Sequence, residues 1–477
     1  MFPNSDIDKK IESYLLAHKD ELLSDWMKLI RIPSIRGEAS ENAPYGEQCA
    51  KALRFSADLF TNYGFEVKLN DKEGYALARY GNGKSLLGLF SHSDVVPAGD
   101  GWIHTSPFDP KMINGFMIGR GCDDNKSGVI ASLYAMRAIK DLKLPLSCTV
   151  QAFVGSCEET GMDDIKAFVK TETMPDLSLV PDADFPCSLG EKGILRLWAE
   201  CCSPLDKIID LFGGEAFNVI LDRATAVIAL DKEQTAVFLN KNESNEFIQI
   251  DESEEGLRIT ALGIAKHAAH PDGGINAAAR LSEYILSRMK LSEEERACLE
   301  TMRDYLSEFG GKALGIDHID PDFGALSCAN GMIRMQNNRV QISLDIRYGT
   351  GLDPILLEEK LRLAWEKRGW SIISIHNETG FSTPEHSRVP QIITTLCDSL
   401  SGKKHKPYRM SGGTYARYLK NAYSIGTSLT SLSDDSALKL PDGHGGVHER
   451  DEAINVDAFF RAVRLLVHAI IQCDKNL

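Results

Sequence analysis

Apolar residues recur at helical spacing through residues 7–32, where Ile11, Leu15, Leu22, Leu23, Met27 and Ile30 fall near one face. The same periodicity predicts a helix over 47–63. It predicts another over 127–142, with Ile130, Leu133, Tyr134 and Ile139 on the stripe. That helix stops before Pro145, whose ring cannot continue it. Around these segments stand short runs of a different kind: "FEVKL", "YALARY", "LLGLF", "CTVQAFV" and "LSLV". They read as strands, and strands alternating with helices predict a mostly parallel α/β sheet flanked by helices.

The texture changes near Gly193. "ILRLWAEC" (194–201) alternates, with Leu195, Leu197 and Ala199 on one side and Arg196, Trp198 and Glu200 on the other. That is the pattern of a half-buried antiparallel strand. A helix is predicted over 204–212, closed by Gly213-Gly214. "INAAARLSEYILSRM" and "DPILLEEKLRLAWEKRGW" read as helices, "RVQISLDIRYG" and "SIISIHN" as strands, and 241–256 as a charged hairpin or loop. Helices resume after about residue 385 and end with "NVDAFFRAVRLLVHAIIQC". The expected fold is α/β: a principal domain in two parts, 1–193 and 385–477, interrupted by an inserted α+β domain over 194–384.

Charge narrows the partners. The 53 basic against 68 acidic residues leave a net −15, which argues against nucleic acid or an anionic membrane surface. The N-terminal residues lack a basic stretch followed by an apolar one, and no apolar run reaches the ~18 residues of a membrane span. Eleven cysteines without a C-x-x-C spacing fit reduced thiols. A cytoplasmic protein is expected. "YGNGKS" (80–85) imitates the end of a phosphate-binding loop, but Ala78 stands where that motif needs glycine.

Candidate chemistry gathers where strands end. His92 and Asp94 follow "LLGLFS", Asp124 lies in "GRGCDDNKSG", and Glu158-Glu159 follow "AFVGSC". Asp182 follows "LSLVP", and His448 lies in "HGGVHERDE". In an open α/β sheet, sites form outside the carboxyl ends of the strands. Each residue alone also reads as a capping histidine, a solvated turn or a helix N-terminus. Together they form an imidazole and carboxylate set suited to zinc, manganese or cobalt. His267 occupies a small-residue turn before Pro271, "SGGTYAR" (411–417) is a Gly-rich loop, and Arg347 lies on the polar side of its strand with Gln341, Ser343 and Asp345.

These residues resemble the zinc-dependent aminoacylase/carnosinase/acetylornithine deacetylase superfamily of exopeptidases and deacylases. "SHSDVVPAGDGW" and "GRGCDDNKSG" are similar to its first two signatures, and "CEETG", "PDADFP" and "HGGVHERDE" follow in its order. "PDADFPCSLGEKG", "LDIRYG" and "SGGTYAR" resemble the peptidase V-type dipeptidases, over about 12–470. The resemblance implies two divalent ions, zinc first among manganese and cobalt. His92, Asp124 and Asp182 would hold one; Asp124, Glu159 and His448 would hold the other. It implies that Asp94 orients the His92 ring and that Glu158 is the general base. His267 would stabilise the oxyanion, and Asn218, Arg347, Gly412, Gly413 and Thr414 would contact substrate. The implied function is hydrolysis of dipeptides with a free C-terminal carboxylate, with the inserted domain as a lid, in a monomer or homodimer. The alternatives are an N-acyl-amino-acid deacylase and an inactive metal- or ligand-binding relative. Around His267 the chain reads A-K-H-A-A-H, a departure from the family's small-residue run.

Overall fold

The computed structural model describes residues 6–242, 244–432 and 438–477. The first five residues and residue 243, which the N-terminal and hairpin readings included, lie outside them. The chain divides into two units: 1–190 with 383–408 and 413–477, and 191–382 with 409–412.

The first unit is built on a six-stranded sheet. Its order is Glu66–Asn70, Tyr75–Tyr80, Thr149–Gly155, Leu86–His92, Leu177–Ala183, Ala422–Gly426. The last four run parallel; Tyr75–Tyr80 is antiparallel to Thr149–Gly155 and forms a hairpin with Glu66–Asn70. Leu86–His92 is buried along its whole length, as a continuous apolar run demands of a central parallel strand. Helix Lys126–Asp141 packs on that strand, and helix Val456–Asp474 packs on the helix in turn. The predicted helix over 7–32 is two, Asp6–Ala17 and Lys19–Ile30. It breaks at His18, whose backbone leaves the helical region at φ −105° and ψ 14°. No Pro or Gly marks the break, and the apolar stripe runs on through both halves, so periodicity alone does not reveal it.

Among the described residues, the second unit carries two large antiparallel sheets and a two-stranded one, Ile319–Asp320 with Gly324–Ala325. In one large sheet, Gly193–Cys201 lies between Arg339–Tyr348 and Trp370–Glu378, with Ser327–Ala329 and Ile333–Gln336 beyond Arg339–Tyr348. In the other the order is Ile208–Phe212, Arg223–Ala229, Gly256–Leu262, Ile248–Ser253. Helix Ala277–Arg288 covers this second sheet and helix Glu293–Leu306 packs on it.

The helix expected over 204–212 is instead the edge strand Ile208–Phe212. A bulge between Ile208 and Asp210 shifts the register, so that Ile208 and Leu211 are the buried residues. A spacing of three is what a helix face also shows, and the bulge therefore imitates helical periodicity. Arg339–Tyr348 differs as well: its polar side is buried too. Polar groups there satisfy one another. Asp345 accepts from Arg347 and Arg196, Gln341 bonds Glu200 and Arg334, and Ser343 accepts from the Met332 N–H.

Candidate metal centre

Three parallel strands deliver their carboxyl ends together. Leu86–His92 pairs His92 with Gly155, so the strand end bearing the histidine lies beside the one leading to Glu158 and Glu159. His92 is fully buried. Its Nε2 is 3.1 Å from Asp124 Oδ1, 3.7 Å from Asp182 Oδ1 and 3.9 Å from Glu158 Oε2. The other Asp124 oxygen is 2.9 Å from His448 Nε2, which is 3.2 Å from Glu159 Oε1. Two groups result, His92–Asp124–Asp182 and Asp124–Glu159–His448, in each of which the ligand atoms lie within 4.8 Å of one another. Asp124 belongs to both.

The electrostatics follow from crowding acids into a buried space. Burial opposes charging His92, yet Asp182, Asp124 and Asp94 hold its pKa well above the ordinary value. Burial likewise opposes charging His448, but Glu159 and Asp124 push it up to about 11. Against its own burial, Asp124 is held below the carboxylate range by the two histidines. Glu158 and Glu159 go the other way: burial and neighbouring carboxylates raise Glu158 well above its usual value and Glu159 to about 7. Glu158 Oε1 is buried and makes no hydrogen bond among the described residues. Such a cluster attracts positive charge, and its oxygen and imidazole donors fit divalent zinc, manganese or cobalt.

Asp94 does more than the sequence suggested. His92 Nδ1 lies 3.0 Å from the Asp94 backbone carbonyl, nearer than the 3.4 Å to the carboxylate. The carboxylate itself accepts the backbone N–H of Glu158 at 3.2 Å and of Glu159 at 3.1 Å. It thus fixes the turn presenting both glutamates. Asp164 secures the approach to that turn. Its Oδ2 accepts from the N–H of Ser156 and Cys157 and from the Tyr415 hydroxyl. A side chain at Gly155 would run into both Tyr415 and Asp164. Tyr415 belongs to "SGGTYAR", of which the resemblance singles out only Gly412, Gly413 and Thr414. Thr414 is committed locally: its hydroxyl bonds Ser424 and caps the short helix Tyr415–Tyr418 through the Ala416 N–H.

The remaining candidates lie elsewhere. Gly413 and Thr414 belong to the first unit and Gly412 to the second. In the second unit Asn218 and His267 are neighbours: Val219 bridges His267, and the Asn218 carbonyl accepts the Ala268 N–H at 2.8 Å. His267 is exposed, and its Nδ1 accepts the Ala269 N–H at 3.1 Å, which puts the proton of the neutral ring on Nε2. Arg347 is almost wholly buried. Its Nε and Nη2 fork onto Asp345, and Nη1 donates to the Ser411 carbonyl at 3.0 Å.

The chain is 29% identical to "Putative dipeptidase YtjP" of Bacillus subtilis (strain 168), over 97% of this chain and 99% of that protein. Its fold is that of human carnosine dipeptidase 1, with a TM-score of 0.61 and 16% identity, covering 99% of this chain and 100% of that one. It is also that of the M20 family metallo-carboxypeptidase Sso-CP2 from Sulfolobus solfataricus, with a TM-score of 0.58 and 16% identity, covering 96% and 100%. The sequence profile of peptidase family M20/M25/M40 matches residues 88–472, and the chain belongs to that family.

Proposed function

We propose that this peptidase is a dipeptidase using two divalent metal ions, zinc foremost, to hydrolyse dipeptides with a free C-terminal carboxylate. The observation that carries the reading is the Asp124 carboxylate, which turns one oxygen to His92 and the other to His448. His92 and Asp182 would complete one set of ligands around it, Glu159 and His448 the other. Bound there, such a pair of cations lowers the pKa of water and polarises an amide carbonyl.

Proton movement falls to Glu158. Its Oε1 takes the proton of the attacking water and returns it to the departing amine nitrogen. Its burial, which disfavours the charged carboxylate, suits it to hold that proton between the two steps. His92 donates Nδ1–H to the Asp94 carbonyl, which keeps the Nε2 lone pair on the ligand side. In the second unit His267 offers an Nε2–H suited to an oxyanion, with Asn218 beside it. The Arg347 fork, its plane set by Asp345, suits a carboxylate through its remaining N–H groups. Gly412 and Gly413 enter as backbone donors. The hydroxyl of Thr414 is already engaged, so any contact from that residue runs through its main chain. All eleven cysteines are unpaired, in keeping with a reducing cytoplasmic setting.

The name carried by the Bacillus relative favours dipeptides over acyl amino acids. The test pairs metal analysis with turnover of free dipeptides, C-terminally amidated dipeptides and N-acyl amino acids. Two equivalents of metal and fastest cleavage of free dipeptides are expected. Faster cleavage of N-acyl amino acids would make the enzyme a deacylase. Two ions with no amide cleavage would leave a binding protein.

A further inference from the structure

Glu452 is fully buried and lies four residues after His448, and among the described residues its carboxylate bonds main-chain N–H groups and Arg120 rather than a candidate ligand side chain. That carboxylate makes four hydrogen bonds. Oε1 accepts the backbone N–H of Asp123 at 2.8 Å and of Asp124 at 3.0 Å. Oε2 accepts the N–H of Gly121 at 2.9 Å and Arg120 Nη1 at 2.8 Å. Its own carbonyl accepts the Gly119 N–H at 3.0 Å and the Cys122 thiol at 3.1 Å. The turn 119–124 is therefore wrapped around one side chain.

The wrapping has a physical logic. Gly121 has φ +84°, a left-handed conformation that turns successive N–H groups inward and makes a concave cradle for an anion. Glu452 supplies the anion. Strand Ala453–Asn455 pairs with Phe116–Ile118, so the ladder ends just where the cradle begins. On the other side of Glu452 the chain reaches His448 through two positive-φ residues, His448 itself at +63° and Asp451 at +48°. Asp451 anchors that bend by accepting the N–H groups of Ile103 and His104 and a bond from His444. One short segment thus presents His448 and grips the main chain of Asp124.

We propose that Glu452 is a positioning residue that sets the Asp124 carboxylate and the His448 imidazole in register for shared metal binding. The assignment rests on the two-ion reading, because only a shared Asp124 makes one misplaced carboxylate weaken both sites. Gln at this position keeps one acceptor oxygen and turns an amide NH2 towards N–H groups that need an acceptor. Asp keeps the charge and loses the reach.

The test uses cobalt titration of the full chain after metal removal, read by visible absorption and by chelator competition. Glu452→Gln is expected to weaken both cobalt sites by about tenfold to a hundredfold, the range for residues that orient metal ligands, and to change the absorption bands. Asp474→Ala serves as control, since Asp474 ties the last helix to the Thr149–Gly155 strand through the N–H groups of Ser147 and Cys148. It is expected to lower thermal stability and leave cobalt affinity and spectrum unchanged. Should Glu452→Gln not fold, Glu452→Asp is measured in the same way, with the same loss expected. Parent-like affinity and bands in the folded variant would overturn the proposal. A parent that takes up only one cobalt would overturn the two-ion reading, and the proposal with it.

Discussion

Glu158 and Glu159 are adjacent acids given different tasks by position alone. Glu159 Oε1 reaches His448, whereas Glu158 Oε1 makes no hydrogen bond among the described residues and its Oε2 stays 3.9 Å from His92. Glu158→Gln should therefore keep the full metal complement and lose about 10²- to 10⁴-fold in kcat, the usual contribution of a positioned acid–base group. Elemental analysis beside steady-state kinetics checks both halves, and near-parent kcat would remove Glu158 from proton transfer. Arg347→Lys keeps charge but loses the planar fork. It should raise KM for free dipeptides and leave amidated ones nearly unchanged; equal effects on both would free Arg347 from carboxylate binding. At this scale the sequence was informative where chemistry and strand ends coincide. His92, Asp124, Glu158, Glu159, Asp182 and His448 each follow a recognisable run, and the structure gathers them. The supporting bonds were not legible. Asp94 grips two N–H groups 64 and 65 residues away, and Glu452 grips those of Asp123 and Asp124 from 329 and 328 away. Neither bond leaves a local pattern. Tyr415 was equally hidden, because a tyrosine in a Gly-rich loop gives no hint that it will support a distant strand end.

Elements were read best where burial is uniform or strictly alternating. Leu86–His92 is buried throughout and Gly193–Cys201 alternates along its length, and both patterns were plain in the chain. Ile208–Phe212 failed because a bulge gave a strand the burial spacing of a helix. Arg339–Tyr348 is the strand expected, but the burial of its polar residues was not legible: they bond one another, a condition set by the neighbouring strands. The attachment of the last helix shows how one residue can join two elements. Asp474 accepts from the Ser147 N–H and hydroxyl and, at 2.6 Å, from the Cys148 N–H. Asp474→Ala leaves those N–H groups without an acceptor and should cost about 1–3 kcal/mol. The pH dependence has a definite sign. Burial opposes the charge of Asp474, but the donated bonds outweigh it and hold the pKa below the ordinary value. The stability it contributes is thus complete above the unfolded pKa of about 3.9 and is lost as pH falls through the depressed folded value. Chemical denaturation of parent and variant should show the full difference at pH 7 and a shrinking one below about pH 4. A difference constant down to pH 2 would mean that the carboxylate is not the source.

At the scale of the whole chain, two large apolar cores stand out among the described residues. One includes Trp26, Leu89, Ile130 and Phe459, and the other includes Leu197, Ile259, Leu344 and Trp365. All the candidate ligands, His92, Asp124, Glu159, Asp182 and His448, belong to the unit with the first core. A ligand that binds only the folded state stabilises what it binds, by about 2.7 kcal/mol at a free concentration of 100 Kd. Removing metal should therefore act on one unit and spare the other. Calorimetry of the metal-loaded chain and of the same chain with chelator should show one transition falling by on the order of 5 °C or more, at about 2 °C per kcal/mol for a unit of this size. The other transition should stay in place. Fluorescence assigns them: Trp26 reports the first core, and Trp365 and Trp370 are packed together in the second. If the second core's transition fell by the same amount, metal binding would be coupled across the whole chain, and confinement of the ion sites to the first unit would no longer describe its energetics.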